Sequence, residues 1–266
     1  MSRIQSRFEK LRAAQRRGLI PFITAGDPHP DQTVAMMLML VAQGADLIEL
    51  GVPFSDPMAD GPVIQRASER ALAHGVSLRQ VLELVALFRQ QDSETPVILM
   101  GYLNPVEVMG YASFATAAAK AGVDGVLLVD LPPEESDMLA AALKQQQIDM
   151  IYLIAPTTTD ERMATICRLA SGFVYYVSVK GITGAGSLNS EEVAQRVAHI
   201  RQFTSLPVGV GFGIKEGASA AAITRTADAA VVGSAVVSRI EANAADAAAA
   251  RESVGAFIAE LRQALS

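Results

Sequence analysis

Residues 47–62 read LIELGVPFSDPMADGP. The first part is an apolar run around one acid, Glu49, without the polar alternation of a half-exposed strand. That is the pattern of a parallel strand covered on both faces. After Gly51 the chain fills with Pro, Asp and Gly and becomes a loop. Working outward, strand-like runs recur at 19–24 (LIPFIT), 46–51 (DLIELG), 96–102 (PVILMGY), 124–130 (DGVLLVD), 148–154 (IDMIYLI), 173–179 (FVYYVSV), 207–211 (PVGVG) and 228–233 (DAAVVG). Helical segments lie between them, and most intervals have the length of one βα unit. The register predicts an α/β fold, a (β/α)8 TIM barrel forming a single domain over residues 1–266. A doubly wound two-domain chain is the competing architecture, but no linker-like stretch marks a boundary.

Three helix-to-strand junctions, QGADLIEL, AGVDGVLL and TADAAVVG, reuse one phrase in which small residues end a helix and Asp opens the strand. Such regularity belongs to the bottom of a barrel and speaks for stability. The longest interval, from 46 to 96, has room for a loop and an extra helix after strand 2. The segment after the sixth run, KGITGAGSLN at 180–189, is also long. Excess length at the C-terminal ends of strands is where barrels build active sites. A further helix over residues 3–16 precedes the first strand and is expected to cap the bottom.

Half of the 266 residues are hydrophobic and 19% are charged, enough for a large core. A net charge of −6 argues against nucleic acid, which needs a basic face. The N-terminal RFEKLRAAQRR reads as a solvated amphipathic helix. A single cysteine, Cys167, excludes an intramolecular disulfide, fits a reducing cytoplasm and is expected on the packed face of a helix. The stretch AMMLMLVA at 35–42 is far short of the ~20 residues of a membrane span, so a soluble cytoplasmic protein is expected. His29, His74 and His199 are scattered without ligand spacing, and no GxGxxG follows a strand; neither a metal nor a dinucleotide is expected.

Alternation along 46–51 places Glu49 inside the barrel near its top, on the face of Leu47 and Gly51. No strand carries an arginine to pair with it, so desolvation should raise its pKa toward neutrality, as a general acid-base group needs. Asp60 sits in the following loop. There Asp60 and Asp56 are both also suited to cap the helix beginning near Pro62. Asp27 and Asp130 stand at strand tops beside prolines and read as turn formers. Tyr102 ends strand 3 and Tyr175 points inward on strand 6; each could donate a hydrogen bond or fill the core. Lys180, at the end of strand 6, is where a Schiff-base aldolase could place its nucleophile.

The segments after strands 6, 7 and 8 read GITGAG (181–186), GFGI (211–214) and GSAVV (233–237). Glycines let backbone N–H groups approach an anion, and Gly233-Ser234 starts the last helix with its dipole. Three such turns side by side favour phosphate.

The motifs PFITAGDP (21–28), DLIELGVPFSDPMADGPVIQ (46–65), MGYLNP (100–105), GVDGVLLVDLPPEE (122–135), GITGAG (181–186), VGVGFGI (208–214) and DAAVVGSAVV (228–237) resemble the tryptophan synthase α-subunit family nearly end to end. The resemblance implies a TIM barrel that cleaves indole-3-glycerol phosphate to indole and glyceraldehyde 3-phosphate, with Glu49 and Asp60 catalytic. It implies an apolar slot for indole from Phe22, Leu99 or Met100, Leu127 and Phe212, with Tyr102 and Tyr175 near the substrate. Thr183, in a loop closing over the site, would hold Asp60. Gly184, Gly213, Gly233 and Ser234 would hold the phosphate. No cofactor is implied in this chain. A β-subunit partner carrying pyridoxal phosphate is implied, in an α2β2 heterotetramer that receives indole directly. The Asp56-Pro57, Asn104-Pro105 and Pro132-Pro133 turns would be its contacts.

Overall fold

The structure, a computed structural model, describes residues 2–177, 190–211 and 213–265. Among these residues nine strands run parallel: β1 (Gly18–Thr24), β2 (Ile48–Gly51), β3 (Val97–Gly101), β4 (Gly125–Leu128), β5 (Asp149–Met150), β6 (Leu153–Ile154), β7 (Val174–Val177), β8 (Val208–Gly211) and β9 (Ala229–Val232). Their order is β5-β4-β3-β2-β1-β9-β8-β7-β6, so the two ends of the sheet are consecutive in the chain. Between them Ile151 N–H donates to Val126 O at 2.9 Å, and Tyr152 O accepts from Tyr175 N–H at 3.1 Å. The sheet therefore closes on itself as a barrel.

One expectation needs correcting. Residues 148–154 are not one strand but two of two residues each. Barrel strands are staggered, so this stave meets β4 with its lower half and β7 with its upper half.

Strand alternation divides the core in two. Inside the barrel Ile20, Leu47, Ile98, Leu127, Ile151 and Phe173 pack together, and the helix Arg3–Ala13 closes the bottom with Ile4, Phe8 and Leu11. That helix is shorter than the expected 3–16, and its Phe8 ring lies 5.8 Å from that of Phe173. Outside, residues such as Leu19, Ile48, Leu50 and Val126 pack under the helices. The helix Leu78–Arg89 shows why these segments fold as they do. Leu78, Val81, Leu82, Val85 and Phe88 recur at helical spacing and are all buried, while Ser77 and Gln80 form a capping box at its start. The expected extra helix after strand 2 is Pro62–Ala73. Cys167 is buried on the helix Asp160–Leu169, as expected.

The recurrent Asp at strand starts has a physical role. Asp46, Asp124 and Asp228 accept from the N–H of Leu19, Val97 and Val208 on the preceding strand, at 3.0, 2.8 and 2.9 Å. Each is also paired with arginine: Arg262, Arg89 with Arg3, and Arg201. These carboxylates fix adjacent strands in register at the bottom, leaving the top free for chemistry. No single helix among the described residues is long and apolar enough to cross a membrane.

Candidate functional site

Glu49 occupies the second position of β2, in register with Phe22 of β1 and Ile98 of β3. Its neighbours along the inner face are Leu47 below and Gly51 above. It is 1% exposed, and among the described residues its Oε1 has no hydrogen-bond partner. Burial alone pushes its pKa from 4.5 to about 8. At neutral pH such a carboxyl is mostly protonated and ready to give its proton away. Tyr175 shares the barrel interior; burial first and the Glu49 charge second hold its phenol well above the ordinary value. The inner face of β8 is bare because Gly211 must make room: a Cβ there would lie 2.2 Å from the Tyr175 hydroxyl.

Asp60 lies in the loop between β2 and the helix Pro62–Ala73. Its Oδ2 accepts from the Tyr102 hydroxyl at 3.0 Å, and that hydroxyl also accepts from Ala59 N–H at 3.0 Å. Gln65 Nε2 donates to the Asp60 carbonyl at 2.8 Å. Phe54 stacks on the Tyr102 ring at 4.9 Å. The loop is thus pinned to the end of β3 by one tyrosine. Burial raises the Asp60 pKa, opposed by the Tyr102 bond. Neither Asp60 nor Asp56 caps the following helix: its N-cap is Gly61, with no side-chain bond, and Pro62 holds the first turn. Asp56 instead accepts from Ser55 Oγ at 2.6 Å.

Beside Asp60 opens a cleft lined by Phe22, Ile64, Met100 and Tyr102, and by two hydroxyls, Thr24 and Ser68; Glu49 is not in its lining, though its register partner Phe22 is. Of the pair Leu99 or Met100, only Met100 reaches it; Leu99 points into the outer core. Leu127 lies wholly inside the barrel. Gly233 is the N-cap of the helix Ser234–Ala242 and lies beside Phe22, whose Cβ would be 3.7 Å from a Cβ on Gly233. This is not the last helix, as the reading from sequence had it; Ala247–Ala264 follows. Around Gly213 nothing lies within 4 Å of a would-be Cβ, so packing does not demand a glycine there. Lys180, Thr183, Gly184 and Phe212 lie outside the described residues.

Several features were not foreseen. Thr24 and Ser68 were missed, although alternation from Phe22 puts Thr24 on the inner face. Asp27 does more than form a turn: buried, it pairs with Arg70 at 2.7 Å, and Arg70 and Arg66 both reach Glu241. Asp130 does serve its turn, accepting from Leu103 N–H at 2.8 Å. His29 and His74 are not scattered, since their rings meet at 4.6 Å. Among the described residues no group of three or more His, Cys, Asp or Glu converges to hold a metal ion.

The sequence profile of the family described as tryptophan synthase alpha chain matches residues 8–266. The tryptophan synthase alpha chain of Thioalkalivibrio sulfidiphilus is 62% identical over 265 residues, covering 100% of both chains. That of Marinobacter nauticus is 56% identical, covering 100% of this chain and 98% of the relative. Among solved structures, tryptophan synthase subunit alpha from Legionella pneumophila superposes with a TM-score of 0.93 at 47% identity, covering 100% of this chain and 98% of that one. Likeness of this degree over the full length leaves a single assignment: the chain belongs to the tryptophan synthase alpha chain family.

Proposed function

We propose that the chain, working as one barrel domain over residues 1–266, cleaves indole-3-glycerol phosphate to indole and glyceraldehyde 3-phosphate. The observation that carries this reading is Glu49, a fully buried carboxyl without a cationic partner among the described residues, fixed on a strand with its pKa pushed to about 8. In the forward cleavage Glu49 gives its proton to indole C3, and the positive charge this creates spreads to the ring nitrogen. Asp60 accepts the indole N–H and stabilises that charge. The hydroxyl beside the scissile bond then loses its proton, its O–H electrons form the aldehyde, and the C–C bonding pair returns to the ring. The proton removed can pass back to Glu49, which ends as it began.

Phe22, Met100, Leu127 and Phe212 form the apolar surround of the ring, with Tyr102 and Tyr175 at its polar edges. Gly213, Gly233, Ser234 and Gly184 hold the phosphate through amides and the dipole of the helix Ser234–Ala242. Thr183 steadies Asp60.

The chain pairs with a tryptophan synthase β chain in an α2β2 assembly that takes up the indole, and pyridoxal phosphate belongs to that partner. Three exposed apolar side chains support such a contact: Met58, Val108 and Met138, at 79, 82 and 71% exposure. They sit in the segments following β2, β3 and β4, near Asp56-Pro57, Asn104-Pro105 and Pro132-Pro133; Asn104-Pro105 is not the expected turn but the start of the helix Leu103–Met109, and Pro133 opens a 3-10 helix. A cytoplasmic location fits a chain with one buried cysteine.

The test is Glu49→Gln, which preserves shape but carries no transferable carboxyl proton. Indole release is expected to fall at least about a thousandfold, in the upper half of the usual range for an acid-base group because both proton transfers are lost. Substantial residual turnover would remove Glu49 from the mechanism.

A further inference from the structure

Thr24 ends β1 on the inner face of the barrel, two residues beyond Phe22 and in register with Gly51. It is 2% exposed, and among the described residues its Oγ1 has no hydrogen-bond partner. Other buried threonine hydroxyls in this chain avoid that state; Thr224 donates to Ala220 O at 3.0 Å. An unpaired buried hydroxyl weakens the fold, and a valine would fill the same space without that penalty. Gly51, opposite, offers no side chain to pair with it. What Thr24 does share is the cleft, which Asp60 also lines. Asp60 is bonded at Oδ2 by Tyr102, and among the described residues no donor reaches Oδ1. An unsatisfied donor and a half-satisfied carboxylate thus line the same small space.

We propose that Thr24 is a positioning residue for Asp60, its hydroxyl donating to Oδ1 when substrate fills the cleft. Tyr102, just beyond β3, and Thr24, at the end of β1, then hold the two carboxylate oxygens and fix the plane of the group. Each oxygen has lone pairs to spare, so one remains for the indole N–H. The inference rests on the reading of Asp60 as acceptor of that N–H.

Among the described residues, the cleft presents to Asp60 one other titratable group, Tyr102. β1 contributes Phe22 and Thr24, and the helix Pro62–Ala73 contributes Ile64 and Ser68. The acid limb of the kcat profile, where activity falls as Asp60 takes up a proton, therefore reads its environment.

The experiment compares Thr24→Val and Thr24→Ser in the full-length chain, by steady-state cleavage of indole-3-glycerol phosphate across pH and by urea unfolding. Thr24→Val is expected to lower kcat about tenfold with KM changed less than about twofold, the loss of one bond to a charged acceptor. Its acid limb moves to higher pH because the carboxylate has lost a donor, while the protein unfolds at no lower urea concentration. Thr24→Ser stays within about twofold of the parent because the hydroxyl is kept. A parental kcat with an unmoved limb in Thr24→Val overturns the proposal, and so do equal losses in both variants. Asp60→Asn, run alongside, separates the two levels of argument. If it remains active, the reading of Asp60 itself fails. If it is inactive while Thr24→Val behaves as the parent, only the role of Thr24 falls.

Discussion

Replacing Glu49 with glutamine should change how stability depends on pH, by an amount that follows from the burial of one carboxyl. In the folded chain Glu49 titrates at about 8, against an ordinary value of 4.5. Below the lower value both folded and unfolded chains hold the proton, and the group does not affect the balance. Between the two values the unfolded chain releases the proton and the folded chain keeps it. The parent protein then loses stability at about 1.4 kcal/mol per pH unit, and the loss ends once both states are ionised. The window of 8 − 4.5 = 3.5 units amounts to about 5 kcal/mol. Glutamine cannot ionise, so its variant escapes this slope. Asp27, Asp46 and Asp149, also raised by burial, are common to both proteins and cancel in the difference. Urea-unfolding free energies of the two proteins, taken between about pH 5 and 8, should diverge by several kcal/mol in favour of the variant. The amide adds only a constant offset, so the slope of the difference is the readout. Parallel curves would mean that Glu49 ionises like an exposed carboxyl and would refute the argument from burial.

Tyr102→Phe removes the hydroxyl that holds Asp60 and is expected to lower kcat about tenfold; unchanged turnover would show that the tyrosine only fills space. Gly211→Ala sets a methyl group 2.2 Å from the Tyr175 hydroxyl. That overpacking should cost about 1–3 kcal/mol in thermal or urea unfolding and depress activity, whereas a parental profile would mean Tyr175 lies elsewhere. Val108→Asp, on the surface beyond β3, should weaken association with the β chain in a titration and leave cleavage by the isolated chain intact. Undiminished association would place the interface on another face.

The barrel was legible because its strands are buried on both faces. DLIELG and DGVLLVD announce themselves as apolar runs, and the Asp at strand starts returns in the three junctions QGADLIEL, AGVDGVLL and TADAAVVG. The fifth stave was not legible in detail, since IDMIYLI is equally apolar throughout; only the stagger of its neighbours divides it. Glu49 was legible from alternation within a single strand. The bond between Tyr102 and Asp60 spans 42 positions and depends on how a loop of Pro, Asp and Gly folds back, which no local pattern encodes. The Arg70 bonds to Asp27 and Glu241, 43 and 171 positions away, were hidden for the same reason. Thr24 was within reach of the alternation argument, but a threonine in an apolar strand carries no signal until its hydroxyl is found without a partner.

The divided fifth stave has a consequence for how the molecule comes apart. Elsewhere neighbouring strands share at least three residue pairs in register, but β4 with β5 and β6 with β7 share two each. A closed barrel offers no free sheet margin to other molecules. Parting at this seam exposes the flanks of β4 and β7 together, without disturbing the strands that carry Phe22 and Glu49. Amide exchange should therefore open first along Ile151 and Tyr175, and self-association on partial unfolding should begin at the same line. The bonds of Asp149 to Ser2 and of the Ser171 hydroxyl to Met150 N–H, at 2.7 and 3.0 Å, fasten the lower half of that seam from outside.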